Sequence, residues 1–100
     1  MRLTPKEIDR HTVYTLAELA RRHRARGLKL NHPEAVAIIV DEIFEEARAG
    51  RDYSEVVAHA SSLLTRADVM DGVADMLNMV QVDAMFPDGT RLVTIRNPIR

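Results

Sequence analysis

Cysteine is absent from the 100 residues, which excludes disulfide frameworks, thiolate metal sites, iron–sulfur clusters and cysteine nucleophiles. Long apolar runs are missing as well. None approaches the ~18 residues that a membrane span requires, and the N-terminus opens on a charged amphipathic stretch where a signal peptide would be apolar. A cytoplasmic protein with no membrane association is expected. Glycine is scarce, with four residues, and each (Gly27, Gly50, Gly72, Gly89) stands at a helix end or turn, so no phosphate-cradling loop leads into a helix. Aromatic residues make up only 4% of the chain, few for a surface that stacks on nucleic acid bases.

What is present fits one soluble domain over residues 1–100, with 46% hydrophobic and 29% charged residues. A chain this short buries roughly 60–68% of its unfolded surface, enough for one core with little margin, so a permanent partner would add stability. The net charge of −1 conceals an asymmetry. Residues 1–30 carry eight Lys/Arg and three Asp/Glu, whereas residues 31–100 carry six and twelve. Arg21, Arg22, His23, Arg24, Arg26 and Lys29 form the densest basic cluster, which suits phosphates or an acidic protein surface. It equally suits a helix end whose cations complement the helix dipole.

Thr4-Pro5-Lys6-Glu7 is a capping box with proline where no amide donor is needed, and it predicts a helix over about 5–25. Ile8, Thr12, Leu16, Leu19, Ala20 and His23 recur along it at spacings of three and four, as one face would, and Gly27 can take the left-handed conformation after its end. Asn31-His32-Pro33-Glu34 repeats the box and predicts a second helix over about 32–48. Its first half, Ala35–Val40, has no polar face and should be buried all round. Asp41, Glu42, Glu45, Glu46 and Arg48 supply a solvent face in its second half. Asp52 with Glu55 caps a third helix carrying Val56, Val57, Ala60, Leu63 and Leu64 inward. Thr65 with Asp68 restarts the chain toward Gly72 as a short fourth helix reaching Met76.

Beyond Asn78 the apolar period becomes two: Val80, Val82, Ala84 and Phe86 alternate with Gln81, Asp83 and Met85, as in a half-buried strand. Pro87-Asp88-Gly89-Thr90 is a turn, and Arg91–Asn97 a second strand with Val93 and Ile95 on one face. A lone hairpin is marginal in water, so it must lie on the helices, on another chain, or on both. The fold class expected is α+β: a bundle of three to four helices over 4–77 with a C-terminal antiparallel hairpin over 79–97.

Chemistry is hard to find. No two of His11, His23, His32 and His59 fall three or four apart on one helix, so no metal motif results. A site assembled in three dimensions from His32, His59 and a carboxylate stays open. Ser54, Ser61 and Ser62 lack the strand–turn–helix setting of a nucleophile elbow, and the acids at 41, 42, 45 and 46 read as a solvent face rather than a paired acid and base. No catalytic, cofactor-binding or metal-ligating residue is expected.

Leu3-Thr4-Pro5 with Glu7 and Asp9, then Ala25-Arg26-Gly27-Leu28-Lys29-Leu30-Asn31-His32-Pro33-Glu34-Ala35, closely resemble the gamma subunit of bacterial urease. Leu64-Thr65-Arg66 with Val69-Met70 and Gly72-Val73, and Val80-Gln81-Val82 through Phe86-Pro87-Asp88-Gly89-Thr90-Arg91-Leu92-Val93-Thr94 to Asn97-Pro98-Ile99, carry the resemblance to the end. It implies a non-catalytic subunit needed to assemble a complex that hydrolyses urea to ammonia and carbamate. The two nickel ions and the catalytic groups would then lie in the alpha subunit, with no cofactor on this chain. Partners would be alpha, beta and further gamma subunits around a threefold axis. Departures from the family pattern fall at His11–Tyr14, Glu46, Ala60-Ser61 and Ala74. The alternative is a stand-alone binding module that docks the basic end of its first helix on nucleic acid or an acidic protein.

Overall fold

The computed structural model describes residues 2–100; Met1, the first residue of the expected domain, lies outside the described residues. Three capping boxes set the helical frame. Thr4 Oγ accepts from the Glu7 amide at 3.2 Å while the Glu7 carboxylate accepts from the Thr4 amide at 2.9 Å, which starts helix α1, Pro5–Ala25. The Asn31–Glu34 pair does the same for α2, His32–Arg48, and Asp52–Glu55 for α3, Tyr53–Ala60. These reciprocal bonds satisfy amides that have no partner inside the helix. Gly27, at φ +77, takes the chain out of α1 in the left-handed region.

Helix α3 is shorter than its apolar pattern suggests. It stops at Ala60, with Ser61 as its cap, so Leu63 and Leu64 approach the core from a loop rather than from a helix face. The next segment also differs from expectation. A 3₁₀ turn, Arg66–Asp68, and a single-turn helix α4, Val73–Met76, are separate elements. Between them Val69 is extended and forms a parallel bridge with Leu30, because Leu30 donates to Asp68 O and accepts from the Met70 amide, both at 2.9 Å. Leu30 and Val69 are both buried, so the bridge satisfies backbone groups that would otherwise be buried unpaired.

Strands β1, Met79–Phe86, and β2, Gly89–Arg96, form a two-stranded antiparallel sheet in which Val80 faces Ile95 and Val82 faces Val93. The two-residue turn Pro87-Asp88 closes it, and Gly89 takes φ +125, a conformation open to glycine at little cost. The architecture is α+β, as expected.

Helix α2 is the centre. It packs against α1, β1 and α3, while β2 packs on α3. Ile39, Ile43, Val56, Val93 and Ile95 are completely buried between these elements, so the hairpin's inner face is covered by the chain's own helices. Tyr53 fastens the arrangement: its hydroxyl accepts from the Thr94 amide at 3.3 Å, and the Arg91 guanidinium lies 4.8 Å from its ring centroid.

Candidate functional site: the acidic side of α2 and the outward apolar residues

The inward face of α1 is partly the one its apolar spacing suggests: Ala20 is buried and Leu16 packs on the core, but two other members of that face stand outside. Ala17 and Ala20 are buried against α2, whereas Ile8 is 51% and Leu19 46% exposed. Two small residues let the helices approach closely but bury little apolar area of their own, so ion pairs join the packing of Leu16 at the seam. Asp41, only 2% exposed, receives Arg10 Nη1 at 2.7 Å and Arg21 Nη2 at 2.8 Å. Arg10 continues to Glu45 at 2.9 Å and stacks on Phe44; Arg21 continues to Glu18 at 2.6 Å and Glu42 at 2.7 Å. Burial works against the charge of Arg21, yet the bonds to Asp41 and Glu18 outweigh it and hold the guanidinium above its ordinary range.

The expected solvent face of α2 is therefore overturned at three of its four acids. Asp41 is buried, Glu42 and Glu46 are half-buried toward α3, and Glu45 alone is exposed. Acidic residues on a helix facing a basic neighbour are drawn inward by pairing, which hydropathy spacing does not register. The basic cluster has the same fate. Arg21 reaches α2, His23 Nδ1 meets the buried Glu34 carboxylate, Arg24 reaches Leu63 O and Asp68, and Lys29 Nζ donates to Ala67 O. Four of the six side chains named from the sequence are thus engaged by partners within the chain, which weakens the case for a phosphate-binding surface there, although Arg22 and Arg26 stay exposed.

The histidines assemble differently from the open possibility of His32 with His59. His32, at the start of α2, lines a shallow apolar groove with Thr12, Leu16 and Val36. His59, on α3, instead meets two carboxylates of α2: Nε2 lies 2.8 Å from Glu42 Oε1 and 3.7 Å from Glu46 Oε1. Glu42 and Glu46 are one turn apart, so the pair was legible as a spacing; its histidine, 17 residues from Glu42, was not. The serines named from the sequence serve local structure, Ser54 Oγ donating to the Asp52 carboxylate and Ser62 Oγ to His59 O.

Several large apolar side chains stand on the outside. Besides Ile8 and Leu19, Tyr14 is exposed on α1, and Met76, Met79, Met85 and Leu92 are exposed on α4 and the hairpin. No described helix is long and apolar enough to cross a membrane. These residues are spread over several elements, and exposed apolar side chains become informative about a partner where they form one contiguous patch.

The fold defines a small helix-and-hairpin domain in which one set of ionic groups, around Asp41, Glu42 and Glu34, closes the seams between helices while several large apolar side chains stand exposed. The chain belongs to the urease gamma-subunit family, whose model matches residues 1–99. It is 59% identical over 100 residues to the urease subunit gamma of Natronomonas pharaonis, covering all of this chain and 92% of that one. It is 55% identical to the urease subunit gamma/beta of Pseudomonas syringae pathovar syringae and to that of pathovar tomato, again over its whole length. It spans 43% of each of those two longer chains.

Proposed function

We propose that the chain is the non-catalytic gamma subunit of a nickel-dependent urease and that it holds together the assembly that hydrolyses urea to ammonia and carbamate. The family match over residues 1–99 carries this reading. The two nickel ions and the catalytic groups belong, on this proposal, to the alpha subunit, and no residue of this chain touches urea. The beta subunit is a partner, a role supported by relatives in which gamma and beta form one chain. Alpha subunits and neighbouring gamma subunits around a threefold axis complete the contacts, in the cytoplasm. The outward Ile8, Tyr14, Leu19, Met85 and Leu92 give such contacts apolar surface to bury.

Co-expression with urease alpha and beta subunits followed by gel filtration tests the proposal. The chain should co-elute with a large nickel-containing chain, and urea hydrolysis should follow that fraction. A chain that elutes alone beside an active, fully assembled urease would overturn the assembly role.

A further inference from the structure

We propose that Glu42, Glu46 and His59 form a binding site for one divalent transition-metal ion, of zinc or cobalt character, between α2 and α3. The three donor atoms all lie within 4.8 Å of one another. Two come from successive turns of α2 and the third from the facing helix, which is how helical bundles build metal sites.

The orientation of the carboxylates supports the assignment. Each has its outer oxygen held by a guanidinium: Arg21 Nη2 donates to Glu42 Oε2 at 2.7 Å, and Arg51 Nε to Glu46 Oε2 at 3.3 Å. The inner oxygens, both Oε1, are left facing His59 Nε2. Outer hydrogen bonds that fix the direction of a ligand are a regular part of metal sites. Half-burial suits the purpose as well, since the side chains of Glu42 and Glu46 are each 26% exposed, dry enough to strengthen a charge interaction yet open to an entering ion.

Geometry and donor chemistry narrow the ion. Three ligands at about 2.0–2.2 Å in a tetrahedral site stand roughly 3.3–3.5 Å from each other. The present Nε2–Oε1 separations of 2.8 and 3.7 Å bracket that spacing, and with all three donors within 4.8 Å of one another side-chain rotations that move the donors by about 1 Å close the set on one ion, leaving a fourth position for water. The proton of the Nε2···Glu42 Oε1 hydrogen bond occupies the place of the ion. Metal binding requires it to leave, to Nδ1 or to solvent, so that Nε2 coordinates as part of a neutral imidazole. One imidazole nitrogen with two carboxylates favours zinc-like ions over magnesium or calcium, which prefer all-oxygen shells. An ion here would tie the eight-residue α3 to the central helix.

The full chain, freed of metal and of any purification tag, is titrated with Zn²⁺ by calorimetry and with Co²⁺ by visible absorption. One equivalent should bind, and the cobalt form should show the intense d–d bands of a four-coordinate site. Glu46→Gln and His59→Gln should each weaken binding at least about tenfold, while His11→Gln and His32→Gln leave it unchanged. Zn²⁺ should raise the unfolding midpoint of the parent chain but not of Glu46→Gln. Circular dichroism of each variant confirms its helix content. Absence of stoichiometric binding, wild-type affinity in folded Glu46→Gln or His59→Gln, or an equal response to Mg²⁺ would overturn the site.

Discussion

Replacing Asp41 by Asn should loosen α1 from the molecule. The Asp41 side chain, 3% exposed, accepts from two guanidiniums at 2.7 and 2.8 Å, and breaking a fully buried pair of this kind costs about 3–5 kcal/mol. Here the charges left behind are Arg10 and Arg21, whose side chains are 30% and 32% exposed and which keep Glu45, Glu18 and Glu42 as partners. Water and those carboxylates recover part of the loss, so the expected cost is about 2–3 kcal/mol. For a domain of this length that lowers the thermal midpoint by about 8–24 °C. Glu45→Gln is the control, because the Glu45 side chain is 55% exposed and its pair with Arg10 is worth at most about 1 kcal/mol. Thermal unfolding followed by circular dichroism, at one fixed protein concentration, measures both. Hydrogen exchange adds the location: amides of α1 should lose protection before those of α2, since only Ala17 and Ala20 anchor α1 by complete burial. Equal midpoints for Asp41→Asn and Glu45→Gln would refute the claim that the buried carboxylate strengthens the seam beyond helix packing.

The Asn31 cap is worth about 0.5–2 kcal/mol, so Asn31→Ala should shift the denaturation midpoint by that amount, and an unmoved midpoint would contradict the observed start of α2. Val93→Lys should unfold the free chain by burying an ammonium where exposure is 0%, whereas Leu92→Lys, on the outward face, should leave the free chain's midpoint within about 0.5 kcal/mol; gel filtration beside circular dichroism separates the two. Acid should destabilise through the caps. Glu7, Asp52 and Asp68 sit below the ordinary carboxylate range, chiefly because each accepts a backbone amide hydrogen bond, from Thr4, Glu55 and Thr65 respectively. Their folded pKa values are depressed, so the stability they contribute is complete above the unfolded values near about 4–4.5 and drains as pH falls through the folded ones. Unfolding midpoints measured from pH 6 to pH 3 should fall over the lower part of that range, and a flat profile would refute the contribution.

Local chemistry was legible from the residues alone. The capping boxes at Thr4, Asn31 and Asp52 join residues three apart, and the Pro87-Asp88-Gly89 turn is equally short-range, so each could be derived before any packing was known. The alternation of Val80, Val82, Ala84 and Phe86 placed the inner face of β1 for the same reason. What the sequence could not decide was which side of a helix meets which neighbour. Apolar spacing on α1 selected Ile8, Leu16, Leu19 and Ala20; the close approach of α2 took in Leu16 and Ala20, added Ala17, and left Ile8 and Leu19 outside. Asp41 read as solvated because its partners, Arg10 and Arg21, stand 31 and 20 residues away. His59 found Glu42 and Glu46 only when α3 folded back across α2. Hydrogen bonds between near neighbours are determined by the order of residues. Ion pairs and helix faces depend on the close approach of distant segments, and tertiary packing alone sets that.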